Sequence, residues 1–421
     1  MNENNFGINR RKFLKNSAAI LSLVGIESAF NQKIFPNKLA ADMFKNEKVY
    51  PLAITMWDFS WLERRWPGAG YEDWDKILDE LLERGYNAVR IDAFPHLIGE
   101  DPFKEWTLLP VWDQQVWGSP AINKVTIQPY LNTFVSKCKE RKIKVGLSSW
   151  YREDSDNVRM KITSPEKMAA NWIKVLEMLE KDNLLDAILY VDLCNEWPGD
   201  IWAPYFKNEP NIWGYWHTDK SMEWMESALQ TMRKNYPFIP LLFSFDNPNY
   251  QLYVDKKPPI DIAEHHVWMV QQNEGEFYKV VEYNYGRFSP QGYINIAERA
   301  EKLYKSRPDY WKNLLVKAIK KLAAEASAAG YPLITTECWG IVDYKDWPLL
   351  SWDWVKELCE LGTITAASTG QWIAIATSNF CGPQFVGMWR DIEWHKRLTG
   401  IIKSSVIKHE LLNKKIVKVM N

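Results

Sequence analysis

The stretch Ile188–Trp197, ILYVDLCNEW, decides how this chain folds. Its first half is apolar and partly β-branched, the pattern of a strand buried on both faces, and such strands belong to parallel sheets covered by helices. Its second half stops abruptly in Asn195, Glu196 and Trp197. A buried strand that delivers an amide, a carboxylate and an indole to one point builds a site. An Asn-Glu pair taken alone is more often ordinary surface, so the rest of the chain must supply the context.

Working outward from this stretch, strand and helix patterns alternate from Tyr50 onward, the sequence form of parallel βα units. Leu52 to Trp57 reads as strand one, and Tyr71 to Arg84 as a helix with a stripe at Trp74, Ile77, Leu78, Leu81 and Leu82, stopped by Gly85. Ala88 to Asp92 is strand two, followed by a long loop carrying Trp106, Trp112 and Trp117. Gln128 to Lys142 reads as helix and Ile143 to Trp150 as strand three. Ser164, Pro165 and Glu166 form a helix start, and that helix runs to about Lys181. The opening stretch is then strand four.

Beyond it, Ser221 to Asn235 is helical and Leu241 to Phe245 is strand five. The link to strand six, Ile262 to Val267, is short and Pro-rich, which leaves room for a vestigial helix at most. Residues 268 to about 294, rich in Tyr, Phe and Gly, read as a long loop over a site. Helices over 295–305 and 308–329 lead to strand seven, Leu333 to Glu337. A helix from Trp352 to Leu361, strand eight from Trp372 to Thr377 and a last helix over 390–403 complete the count. Eight strands with helices between them predict an α/β fold, a single (β/α)8 TIM barrel with long loops after strands two and six. The rival, a doubly wound open sheet, calls for a Gly-rich turn after strand one, and WDFSWLERRWPG supplies none.

The N-terminus is different in kind. NRRKFLKNSAAILSLVGI carries Arg10 and Arg11, then Phe13, Leu14 and Lys15, then an apolar run from Ser17 to Ile26 too short to span a bilayer. It resembles a twin-arginine export signal, so residues 1–41 are assigned to that signal and a linker, and 42–421 to the barrel. The expectation is an exported, periplasmic or extracellular protein, with no stable membrane span unless the signal is retained.

Fifty-two basic residues against 53 acidic ones leave a formal net charge of −1, which gives no field for nucleic acid. The 23 Trp and 19 Tyr exceed what a core needs, and their flat faces with polar edges suit sugar rings. The five cysteines, Cys138, Cys194, Cys338, Cys359 and Cys381, show no metal-ligand spacing. No cofactor and no metal are expected; the expected partner is a carbohydrate.

In a barrel of this kind the site lies at the carboxyl ends of the strands, so the closing residues are read together. Strand one closes in Trp57 and Asp58, strand two in Arg90 and Asp92, strand three in Trp150 and Tyr151, and strand four in Asn195, Glu196 and Trp197. Strand six closes in His265, His266 and Trp268, and strand seven in Glu337 and Trp339. The five indoles predict a stacking rim. Alternation lets only one of His265 and His266 point inward. Glycosidic cleavage needs two carboxyls, one protonated and one ionised, and Glu196 and Glu337 answer to them: Glu196 stays protonated if partly desolvated, and Glu337 stays ionised if Arg90 donates to it. Asp58 and Asp92 read as supports.

The Asn-Glu closing strand four, the Glu closing TTE on strand seven and the Arg closing strand two resemble the clan A glycoside hydrolases, among their cellulase-like members, over residues 50 to 403. The resemblance implies a retaining β-glycosidase acting on a plant or microbial glycan or oligosaccharide. It makes Glu196 the acid/base, Glu337 the nucleophile, Asn195 a ligand of the sugar 2-hydroxyl and Arg90 a support of the nucleophile. The chain departs from that family where many members have His-x-Tyr after strand six, here His265, His266, Val267 and Trp268. It departs again after strand three, with Trp150, Tyr151 and Arg152 where many have His. A non-catalytic glycan-binding barrel is the alternative.

Overall fold

Eight apolar runs need both faces covered, and a ring of parallel strands inside a ring of helices covers them. The computed structural model describes residues 48–111, 121–206, 215–283 and 290–420, and Lys48–Asn421 forms one unit. The export-signal reading therefore lies outside the described residues, as do Trp112 and Trp117.

The barrel strands are β1 (Leu52–Asp58), β2 (Ala88–Asp92), β3 (Lys144–Ser148), β4 (Ile188–Asp192), β5 (Leu241–Leu242), β6 (Ala263–Glu264), β7 (Leu333–Thr335) and β8 (Trp372–Ala376). They neighbour one another in the order β5-β4-β3-β2-β1-β8-β7-β6, all parallel. The ring closes between its ends through a parallel bridge of Phe245 to His265, where the His266 N–H donates to the Phe245 carbonyl at 2.8 Å. Inside, Gly146 on β3 leaves the space that the Tyr190 ring fills, since a Cβ there would stand 2.4 Å from that ring.

The helices follow in turn: α1 (Trp74–Glu83), α2 (Tyr130–Glu140), α3 (Pro165–Lys181), α4 (Asp219–Asn235), α5 (Leu252–Lys256), α6 (Pro308–Ala329), α7 (Asp353–Thr369) and α8 (Ile392–Ser404). α1 starts where the Asp73 carboxylate accepts the Lys76 N–H, and it buries Trp74, Ile77, Leu78 and Leu81. α3 starts as the sequence predicts, with the Ser164 hydroxyl accepting from the Lys167 N–H and Pro165 in its first turn. The vestigial helix expected between strands five and six is α5, five residues long.

The structure corrects several expectations. Strands five, six and seven are two, two and three residues long, shorter than the apolar runs imply, and just past their ends Ser244, His266 and Thr336 turn their side chains to Asp192, Glu196 and Glu264. The segment from 268 carries short structured pieces: Val267–Trp268 pairs with Cys338–Trp339, and helical turns follow over Met269–Gln271 and within Gln272–Val281, where Asn273, Glu274 and Gly275 interrupt the helix at positive φ. The loop after β2 holds an antiparallel hairpin, Glu105–Leu108 with Asn123–Thr126. α7 runs on past Leu361 because Gly362 lets the helix pass Trp339, whose ring atoms would lie within 2.6 Å of a Cβ there. Among the described residues no helix is long and apolar enough to cross a membrane.

Candidate active site

Arg90 is the hub of the barrel mouth. It is fully buried on β2, where an unpaired guanidinium would be prohibitively costly, and the neighbouring strand ends supply its partners. Its Nη2 donates to Asp192 Oδ2 at 2.7 Å, Asn195 Oδ1 at 2.6 Å and Ser148 Oγ at 2.9 Å. Its Nη1 donates to Thr336 Oγ1 at 2.9 Å and Glu337 Oε1 at 3.3 Å. The Trp150 ring lies 4.6 Å from its guanidinium carbon, a cation–π contact. Burial opposes the charge, but Glu264 and Asp192 more than offset it and Arg90 stays cationic.

His266 is the second cation. Its Nδ1 meets Glu196 Oε1 at 2.9 Å and stands 3.6 Å from Glu337 Oε2, while its Nε2 meets Glu264 Oε2 at 2.9 Å. With acceptors on both nitrogens the doubly protonated ring is the form that fits. Burial works against that form, yet Glu337 and Glu264 raise the imidazole well above its ordinary range. Glu264 is in turn held down to about 2: burial resists its ionisation, and Arg90 and His266 overcome that resistance. It also accepts from the Thr336 N–H and hydroxyl at 2.9 and 2.7 Å.

Glu196 and Glu337 face each other across this pair of cations. Glu196 sits at φ +46°, a left-handed backbone that is uncommon for a non-glycine residue, and its N–H donates to Ser244 Oγ at 3.0 Å. Its Oε2 accepts the Trp202 indole N–H at 3.3 Å. Atoms of Glu196, His266 and Glu337 all lie within 4.8 Å of one another, near enough to meet a small cation. Here His266 stands between the carboxylates as a hydrogen-bond donor instead. Burial pushes the Glu337 carboxyl up to about 7, with His266 and Arg90 opposing and Glu196 adding to the rise. Arg90 thus does not by itself hold Glu337 ionised, because its donors are shared among the side chains of several strands.

Of the residues read from the sequence, Arg90, Asn195, Glu196, His266 and Glu337 come together, with Trp150 against Arg90. Asn195 Oδ1 is engaged by Arg90, and its Nδ2 is a buried donor without a partner among the described residues. His265 is a correction: it turns outward, with Nδ1 at 2.8 Å from the Tyr253 hydroxyl, and burial lowers it to about 3. The stacking rim is another. Trp57, Trp197 and Trp339 are completely buried, their indole N–H groups donating to the Cys381 carbonyl, the Ser221 hydroxyl and the Ala376 carbonyl. Trp268 is buried as well. These rings pack against other aromatics, as Trp57 does on Tyr71 and Trp197 on Phe206, and present no open face to a sugar.

Asp58 and Asp92 do not hold Arg90; they accept from the N–H groups of Ser60, and of Phe94 and Trp150. The acids that do engage the cations, Asp192 and Glu264, escaped the sequence reading, as did Trp202, Ser244 and Asp246. The available signal was a charged residue closing a buried strand, as in ILYVD and AE, since such a charge must be paired.

A profile of the cellulase-like family, described as sugar-binding cellulase-like, matches residues 54–403. A crystal structure from Parabacteroides distasonis, provisionally described as a glycoside hydrolase, is 60% identical, with a TM-score of 0.87 over 89% of this chain and 99% of that one. More distant solved structures include an endocellulase of Pyrococcus horikoshii in complex with cellotetraose, 14% identical with a TM-score of 0.48 over 83% of this chain and 92% of that one. Another is the cellulose synthase subunit Z of Clostridioides difficile, 12% identical with a TM-score of 0.49 over 83% and 99%. A search of curated proteins returned no match. With the family profile spanning most of the chain and the barrel carrying its acids at the carboxyl ends of the strands, this chain belongs to the sugar-binding cellulase-like family of clan A glycoside hydrolases.

Proposed function

We propose that the protein is a retaining β-glycoside hydrolase, exported to act on a plant or microbial glycan or oligosaccharide, with Glu196 as acid/base and Glu337 as nucleophile. The observation that carries this reading is the spacing of the two acids, which bring one oxygen each within 4.8 Å of the other. A retaining double displacement needs carboxyls about 5 to 5.5 Å apart, whereas inversion needs about 6.5 to 9.5 Å to admit a water between them.

The surroundings divide the roles. Glu337 touches Arg90, a fixed cation suited to a carboxylate that attacks the anomeric carbon and leaves again. Glu196 touches the Trp202 N–H and the His266 N–H, two donors that favour its ionised form after the proton has gone to the leaving oxygen. Burial raises the Glu337 carboxyl to about 7, and the reaction requires that carboxyl ionised and the proton on Glu196.

Proton NMR of the first-formed anomer from an aryl β-glycoside tests the mechanism, with the β anomer expected. Glu337→Gln is expected to abolish turnover while sugar binding persists, and Glu196→Ala to regain rate with azide on a substrate with an activated leaving group. Wild-type rates in both variants would overturn the assignment of the two acids, whereas sugar binding with no turnover of any glycoside by the wild type would leave a non-catalytic glycan-binding barrel.

A further inference from the structure

Beyond β5 the chain stays extended through Phe243, Ser244 and Phe245 to Asp246. Ser244 turns inward, its hydroxyl 2.9 Å from Asp192 Oδ2, and Phe245 turns outward to stack on Trp216 with centroids 4.4 Å apart. Alternation makes Asp246 the next inward residue, one step nearer the mouth than Ser244. Its charge there acts on Glu196, His266 and Glu337 together. Asp246 is only 8% exposed, and apart from its own backbone N–H its carboxyl has no hydrogen-bond or ion-pair partner among the described residues. A buried carboxyl left so is costly to the fold, and a native protein that keeps one does so for something that binds there.

Asn195 in the same cluster repeats the pattern with opposite polarity, since its Nδ2 is a buried donor without a partner among the described residues. An unmet acceptor and an unmet donor complement sugar hydroxyls, each of which both donates and accepts. The terminal nitrogens of Arg90 are committed to Asp192, Asn195, Thr336 and Glu337, and both nitrogens of His266 to Glu196 and Glu264, while Arg90 Nε is a buried donor with no partner among the described residues.

We propose that Asp246 is a third sugar-contacting carboxyl, binding hydroxyls of the ring held between Glu196 and Glu337 together with the Asn195 amide, and that this ring carries no carboxylate of its own. The proposal rests on the glycosidase reading and adds to it the class of sugar. A uronic acid placed there would meet three acids, with the terminal nitrogens of Arg90 and both nitrogens of His266 already engaged by the carboxylates, amide and hydroxyl around them. Burial, with Glu196 adding to it, pushes the Asp246 carboxyl up to about 8, so near neutral pH it offers an O–H donor as well as an acceptor.

The isosteric variant Asp246→Asn tests this in two ways. A carboxyl whose folded pKa is raised weakens the fold as pH climbs from its ordinary value toward about 8, so the amide variant is expected to melt at or above the wild-type temperature at pH 9. On the 4-nitrophenyl β-glycoside turned over fastest, its KM is expected to rise about tenfold at neutral pH, the loss of one buried hydrogen bond. A lower melting temperature at pH 9, or an unchanged KM, overturns the role of Asp246 and leaves the glycosidase reading standing. Across a panel of 4-nitrophenyl β-glycosides only uncharged members are expected to be cleaved, and a uronide cleaved as fast as its neutral counterpart overturns the sugar class. If no member of the panel is cleaved, the glycosidase reading falls and this proposal with it.

Discussion

His265 and His266 are adjacent in sequence and belong to two different regions of the molecule. His265 lies in an aromatic shell outside the strands, with the Tyr253 hydroxyl on its ring and the Tyr250 ring packed edge-on at 5.1 Å. Burial without a carboxylate partner lowers it to about 3, so it is neutral. His266 lies in the charged mouth among Glu196, Glu264 and Glu337 and is a cation. The two are equally buried, so burial by itself does not make a site; what a buried group is paired with decides its charge and its work.

The contrast breaks most sharply at His266. Replacing it with Ala leaves Glu264, Glu196 and Glu337 facing one another without their shared cation, and breaking a buried pair costs about 3–5 kcal/mol. The same change is expected to lower kcat about a hundredfold or more, at the lower edge of what a misplaced acid–base group costs. Denaturant unfolding and steady-state rates measure both, and a fully active, fully stable His266→Ala removes the charged cluster from the mechanism.

Trp202→Phe probes the same region more gently. It deletes the indole N–H on Glu196 Oε2, and kcat/KM is expected to fall about tenfold, the worth of one hydrogen bond to a charged group. An unchanged kcat/KM places Trp202 among the packing residues.

On the aromatic side the expected effects concern stability alone. With its pKa lowered in the fold, His265 binds a proton more readily when unfolded, so stability is lost as pH falls from about 6.5 toward about 3. His265→Phe should flatten that loss in melting curves between pH 7 and 4, at a cost of about 1 kcal/mol at pH 8 for the lost Tyr253 bond, with kcat untouched. Since burial lowers His96 and His395 to about 3 as well, the variant keeps part of the acid sensitivity. Trp57→Phe is the smallest change, expected to lower the melting temperature by a few degrees through the lost Cys381 bond and to leave KM alone. A raised KM would put Trp57 back at the sugar.

The elements were legible where periodicity and end signals agree. α3 begins at its Ser164 cap and β4 at Ile188, as the pattern has them. The two facing glutamates were legible as candidate acids because a carboxylate after an apolar strand has few structural uses. The tryptophans were misread because an indole looks alike in sequence whether it stacks on a sugar or fills a layer between strand and helix, and Trp57, Trp197 and Trp339 fill such layers. The partners of Arg90 were misassigned for a related reason. Asp58, Asp92 and Asp192 all close strands, and of these three only Asp192 accepts from the guanidinium.

What the sequence determined by itself is the count and order of the βα units and the arrival of Asn195, Glu196 and Glu337 at strand ends, because periodicity and chain direction are local properties. What only the tertiary structure decided is which way each end residue faces and what it meets there. Those outcomes depend on contacts between distant strands: Arg90 with Asp192, His266 between Glu196 and Glu264, and Asp246 within reach of the charges of Glu196 and Glu337. A burial energy or a shifted pKa belongs to such contacts, and no stretch of sequence read alone contains them.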